Sequence, residues 1–162
     1  MVTYNLHGLN ILKDSLKLAK ICQESKIKNA LNNFSKNRDV LSELPILKKY
    51  LEFKIDSKYK YLNSWFNYNE FGEAHHRHRH IEGDLTGCFY IQTNLNDCIT
   101  FYDDNFKEYD VPVYDGLVIL FDSKIWHKVK QNKYKNTRIS LCFDYINTLE
   151  KYNGINISNK SK

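Results

Sequence analysis

The sequence predicts a mainly β chain, an antiparallel barrel or double-sheet jelly roll with an N-terminal helical layer. Three observations carry this. From about residue 58 onward, seven or eight short strand-like runs follow one another at regular spacing with no helical pattern between them. Before that point the apolar residues recur at helical spacing. The chain has 162 residues, 42% of them hydrophobic and 14% aromatic, which suits one packed core rather than two domains or a disordered chain. No repeat or linker divides it, so residues 1–57 are predicted as the helical layer, 58–148 as the β core and 149–162 as a polar, frayed tail.

The elements follow in order. The segment from Ile11 to Cys22 reads as a helix. Ile27, Ala30, Leu31 and Phe34 fall at i, i+3, i+4 and i+7, a stripe for one buried helix face. A third helix is expected near Ser42, whose hydroxyl can cap the amides ahead of Leu44, Leu47 and Leu51, with Pro45 in the first turn where a missing N–H is harmless. "YKYLNSWFNYNEFG" is rich in aromatic residues and ends at Gly72. "TGCFYIQTN" and "ITFYDD" are strand-like, "VPVYDGLVILFD" gives two strands broken at Asp115-Gly116, and "WHKVKQN" and "TRISLCFDYI" complete the set.

Bulk properties narrow the function classes. The formal charge is +5 with lysines scattered along the chain, a weak pointer to an anionic partner. No run is long enough to cross a membrane. The N-terminus lacks the basic and apolar regions of a signal peptide, and the four cysteines, Cys22, Cys88, Cys98 and Cys142, form no CxxC pair. The expectation is a reducing, cytoplasmic setting with the cysteines packed as small apolar residues.

One stretch stands out. Residues 75–80 read "HHRHRH", four of the chain's six histidines. On a strand, side chains alternate, so His76, His78 and His80 are expected on one face and Arg77 and Arg79 on the other. Imidazoles two apart on a strand can converge on one cation, and Fe, Zn, Ni and Cu all accept imidazole nitrogen. A polar surface stretch is the commoner fate of such a cluster. A third ligand must come from elsewhere. His7 lies in the helical arm, whereas His127 lies in a strand-like stretch that a barrel can bring close, so His78, His80 and His127 form the best constellation.

The flanks of these histidines strengthen the reading. "SWFNYNEFG", "HRHIEGDLTGCFY", "GLVILFDSKIWHKVKQN" and "TRISLCFDY" stand in order between residues 64 and 145. Together they resemble the 2-oxoglutarate- and Fe(II)-dependent oxygenases, most closely a small prolyl-hydroxylase-like branch common in phage and marine bacterial genomes. The resemblance covers about half of the chain and rests on the ordered set rather than on any one motif. It implies a double-stranded β-helix, the jelly roll also found in cupins. It further implies an iron(II) site at His78, His80 and His127, and a 2-oxoglutarate site in which Arg138 forks the far carboxylate with Ser140 and Tyr90 as further donors. Asn67 or Asn69 would line the pocket. The implied activity is a dioxygenase that hydroxylates a C–H bond, consuming dioxygen and converting 2-oxoglutarate to succinate and CO₂. A free small molecule, a peptide and a nucleobase are all open as substrate.

The sequence departs from the family pattern where a carboxylate usually stands two residues after the first histidine, because His80 occupies that place. Three completions stay open: His80 as the third ligand, Asp84 or Glu82 swinging in as the carboxylate, or a site that has lost iron. Two rival accounts also stand. A cupin-type metal protein without 2-oxoglutarate fits the Gly72–His78–His80 spacing, and Arg138 is the residue that discriminates against it. Alternatively, Arg77 and Arg79 could make a nucleic-acid or partner surface on a metal-stabilised barrel.

Overall fold

The structure, a computed structural model, describes residues 1–6, 10–28 and 33–149. Eleven strands and two α-helices are arranged as two antiparallel sheets with the helices on the outer side of the larger one. In chain order these are β1 (Val2–Asn5), α1 (Ile11–Gln23), β2 (Ile27–Lys28), β3 (Asn33–Phe34), a 3₁₀ turn (Val40–Glu43) and α2 (Pro45–Lys54). There follow β4 (Tyr59–Asn69), β5 (His75–His78), β6 (Leu85–Gln92), β7 (Cys98–Tyr102), β8 (Glu108–Pro112), β9 (Leu117–Asp122), β10 (His127–Val129) and β11 (Arg138–Asn147). The seven-stranded sheet runs β1-β9-β6-β11-β4-β3-β2 and the four-stranded sheet β5-β10-β7-β8. This is the jelly-roll, or double-stranded β-helix, architecture expected from the sequence.

The three central strands of the large sheet build both cores by period-two alternation. Phe66 and Tyr68 on β4, Phe89 and Ile91 on β6, and Ile139, Leu141 and Phe143 on β11 are buried toward the helices, where they meet Ala19, Leu47 and Leu51. The opposite face looks into the space between the sheets. There Cys88, Tyr90 and Cys142 join Ile99, Phe101, Ile119 and Phe121. Gly87 is what lets these strands close, because Phe143 lies directly across from it. A Cβ at that position would sit 2.0 and 2.3 Å from two Phe143 ring carbons. The Asp115-Gly116 turn forms as expected, with Gly116 at φ 89°. It is not a hairpin, however, because β8 and β9 belong to different sheets.

Several N-terminal expectations are corrected. The stripe at Ile27 and Phe34 is not helical. Ile27–Lys28 and Asn33–Phe34 pair as strands, and β3 adds to the edge of β4 through Asn33 opposite Tyr68 and Phe34 opposite Asn67. A sheet edge with unpaired backbone groups outweighs a four-residue periodicity that short strands mimic. Ala30 and Leu31 lie outside the described residues, as do His7 and residues 150–162 of the expected tail. Residues 2–5 also escape the helical layer, pairing with β9 from Val2 opposite Leu120 to Asn5 opposite Leu117. Ser42 does not cap α2. It sits in the 3₁₀ turn and bonds Asp39, and α2 starts at Pro45 after an uncapped Leu44. Leu44, Leu47 and Leu51 are buried as expected. Cys22, Cys88, Cys98 and Cys142 are free thiols.

Candidate metal centre

A bulge sets the histidine geometry. On β5 and β10, His78 faces His127 and His75 faces Val129, so three steps on one strand match two on the other. The extra residue breaks simple alternation. In consequence His76 is exposed, not on the face of His78 as alternation predicts, and His75 is buried in its place. His78, His80 and His127 do come together. Their ring centroids lie 4.3 Å (His78–His127), 5.3 Å (His80–His127) and 5.5 Å (His78–His80) apart. One ligand nitrogen from each lies within 4.8 Å of the others.

The hydrogen bonds of these rings fix which nitrogen is free. His78 Nδ1 donates to the His76 carbonyl at 2.7 Å, His127 Nδ1 to the Ile125 carbonyl at 3.0 Å, and His80 Nδ1 to Asp144 Oδ1 at 2.8 Å. All three acceptors are oxygens that want a proton, so each ring carries its hydrogen on Nδ1 and keeps the Nε2 lone pair. That is how imidazole ligands are oriented around a cation. Electrostatics agree: burial, reinforced by the neighbouring His78, holds His127 at about 3. Burial also lowers His78 below its usual value. Both rings are neutral at neutral pH, the form that binds metal.

Asp144, which the sequence reading missed, supplies the one carboxylate in contact with the triad among the described residues. It is 4% exposed, and its Oδ1 also accepts the Thr86 hydroxyl at 2.6 Å. Neither carboxylate weighed from the sequence joins the cluster. Asp84 is turned away, accepting the Asn147 amide at 2.7 Å and facing Lys124 at 3.5 Å, while Glu82 is exposed at the cavity rim. Asp144 was findable, since Arg138, Ser140, Cys142 and Asp144 lie two apart on one strand and share one face.

The histidines open onto a cavity of ≈ 340 Å³ between the sheets. Its floor is the inner face of β4, β11 and β6, in ordered rows. Asn69 lies opposite Arg138, Ser140 lies between Asn67 and Tyr90, and Cys142 lies between Trp65 and Cys88. The three histidines, Arg138, Ser140, Tyr90 and both asparagines therefore line one cavity, whereas Asp84 does not. The end beyond the triad is polar and buried. Arg138, 3% exposed, donates from Nη1 to Asp97 Oδ1 at 3.0 Å and from Nη2 to the Lys130 carbonyl at 2.8 Å. Three buried polar atoms there have no partner: Arg138 Nε, Asn69 Nδ2 and His75 Nε2. Burial, with the nearby His78 and Arg138 charges, lowers His75 to about 3, so this ring is neutral and can donate without adding charge. Asp97 and His75 were not foreseen. Nothing in the strand pattern points to the loop that carries Asp97, and the bulge hid His75.

No family model matches the sequence, and no curated protein matches it. Solved structures do. A prolyl hydroxylase from Trichoplax adhaerens, in complex with a hypoxia inducible factor peptide fragment, matches at TM-score 0.70 and 15% identity over 93% of this chain and 85% of that one. A prolyl-4-hydroxylase from Pseudomonas putida matches at TM-score 0.66 and 13% identity, covering 90% and 91%. HygX from Streptomyces hygroscopicus, with nickel and 2-oxoglutarate bound, matches at TM-score 0.69 and 10% identity, covering 91% and 82%. At these identities the likeness establishes the fold: the chain adopts the double-stranded β-helix of 2-oxoglutarate–iron(II) oxygenases.

Proposed function

We propose that this chain is an iron(II)- and 2-oxoglutarate-dependent dioxygenase that hydroxylates a C–H bond. The single observation carrying the proposal is that three imidazoles with locked Nδ1 protons and free Nε2 lone pairs share one cavity with a buried guanidinium whose Nε has no partner. The residues fit the cofactors. His78, His80 and His127 supply three imidazole nitrogen donors, a set that iron(II) accepts. Arg138 Nε, Asn69 Nδ2 and His75 Nε2 are the donors that a carboxylate at the closed end would satisfy, with Ser140 and Tyr90 beside them. Leaving such donors buried and unmade costs about 1–3 kcal/mol each, which a bound carboxylate would relieve.

With metal and co-substrate bound, the chemistry supplied is oxidative decarboxylation of 2-oxoglutarate by dioxygen to succinate and CO₂, with one oxygen atom delivered to the substrate as a hydroxyl. The protein's part is to hold and exclude. Asp144 orients His80, the His76 and Ile125 carbonyls orient His78 and His127, and Ile99 and Val129 keep the cavity wall between the histidines and Arg138 apolar.

The Arg138–Asp97 pair is the feature that favours the alternative, a cupin-type metal protein without 2-oxoglutarate, because part of the guanidinium is already engaged. The three orphaned donors favour the oxygenase. The test is to load the protein with Fe(II) anaerobically and add 2-oxoglutarate. A visible charge-transfer band that disappears in Arg138→Ala and in His78→Ala is the expected result. Iron binding without a band would select the cupin-type alternative.

A further inference from the structure

Guanidinium groups are concentrated at this cavity far beyond chance. The chain has twenty lysines and only four arginines, Arg38, Arg77, Arg79 and Arg138. Three of the four arginines line the cavity, and among the described residues no lysine does. A chain that uses lysine wherever a positive charge suffices has placed arginine where a planar fork of donors is needed. Arg138 serves the closed end. Arg38 and Arg79 are exposed and belong to the mouth.

The two mouth arginines are held but not used. Arg38 lies over Trp65 at 4.1 Å from the ring centroid, and Arg79 over Trp126 at 5.0 Å. These are the chain's only two tryptophans. Stacking fixes a guanidinium plane while leaving its N–H edge open. Among the described residues neither guanidinium makes a hydrogen bond or an ion pair (the Arg38 backbone carbonyl accepts the Ser64 amide), although Lys26, Lys124, Lys128 and Lys130 each have a carboxylate partner. Glu82, an exposed acid, shares this rim. Ile81, 80% exposed, offers an apolar contact at the same rim. Trp65 also lies 5.5 Å from the His80 ring, so whatever Arg38 holds sits one aromatic layer from the histidine cluster.

We propose that Arg38 and Arg79 form the recognition site for an oxyanion on the primary substrate, and that this substrate is a phosphate monoester. The three terminal oxygens of a phosphate exceed what one fork satisfies, so it uses two guanidinia where a carboxylate needs one. The inference rests on the oxygenase reading for the word substrate. The binding site itself stands on the arginine geometry alone.

The test uses the full chain, metal-free, titrated with inorganic phosphate at constant ionic strength while tryptophan emission is followed, since both indoles lie under the arginines in question. A saturable change is expected, weakened about tenfold in Arg38→Gln and in Arg79→Gln. Arg77→Gln is the control. Its guanidinium also stacks on Trp126, at 5.4 Å, but does not line the cavity, so it should leave the affinity within twofold. No saturable change, wild-type affinity in Arg38→Gln or in Arg79→Gln, or equal weakening by Arg77→Gln would each overturn the proposal, the last by showing a diffuse basic surface. Acetate binding as tightly as phosphate would overturn the phosphate assignment. Iron and 2-oxoglutarate titrations on the same samples separate the two readings: a phosphate response in a chain that binds neither would overturn the oxygenase and support the oxyanion site.

Discussion

Replacing Asp144 by asparagine should weaken metal binding by about 10–100-fold while leaving the fold intact. The carboxylate acts through the His80 ring. Its Oδ1 accepts the His80 Nδ1 proton at 2.8 Å and the Thr86 hydroxyl at 2.6 Å, and Thr86 in turn meets Ser123 at 2.8 Å. An asparagine carbonyl oxygen can accept both hydrogens, so the geometry survives and only the negative charge is lost. A hydrogen bond to a charged partner contributes about 1.5–3 kcal/mol and a neutral one about 1 kcal/mol, so this bond alone accounts for a loss of roughly 0.5–2 kcal/mol, about 2–30-fold, and the field of the lost charge at the metal adds the rest. The charge that many such sites carry on a ligand is here placed one bond behind it. The assay is a competition titration of Co(II) or Zn(II) against a chromophoric chelator, with thermal melting of the metal-free protein as a check on folding. Unchanged affinity in Asp144→Asn beside a large loss in His80→Ala would refute the reasoning. If both variants abolished binding with wild-type melting, the carboxylate would itself be a ligand.

Three further outcomes are expected. Gly87→Ala should lower the melting temperature by about 5–10 °C, because its Cβ would stand 2.0 Å from the Phe143 ring and 2.8 Å from Leu120, an overpacking cost of about 1–3 kcal/mol; an unchanged melt would mean that Phe143 moves freely. Arg138→Met should abolish 2-oxoglutarate binding and destabilise the chain by about 3–5 kcal/mol, since it strands the buried Asp97 carboxylate. Adding Asp97→Asn should restore stability in urea unfolding but not the binding, and recovery of both would show that Arg138 is only structural. The metal-free chain should lose stability as pH falls from 7 to 5. His75 and His127 are lowered from 6.5 to about 3, so in this window the unfolded chain binds protons that the native chain refuses. Stability is full above 6.5 and falls by about 1.4 kcal/mol per pH unit per histidine below it. A flat urea midpoint across this range, where carboxylates scarcely titrate, would contradict the burial of these rings.

The central sheet was legible because its physics is local. Alternation on β4 and β11 puts Trp65, Asn67 and Asn69 on the face of Arg138, Ser140 and, had the same count been carried four residues further, Asp144. Helix α1 was legible for the same reason. The stripe at Ile27 and Phe34 misled because four apolar positions cannot distinguish a helix turn from two edge strands, and the unpaired edge of β4 decided the matter.

The sequence by itself determined the alternating strands, the inventory of imidazoles and guanidinia, and the faces on which most of them lie, since side-chain direction follows from backbone period. Only the tertiary structure decided which distant groups meet. The bulge against β10 buries His75 instead of His76, strand packing sets Asp144 behind His80 and Asp97 against Arg138, and two indoles hold Arg38 and Arg79 at the mouth. These are contacts between residues up to 64 positions apart in the chain, and no local period encodes them.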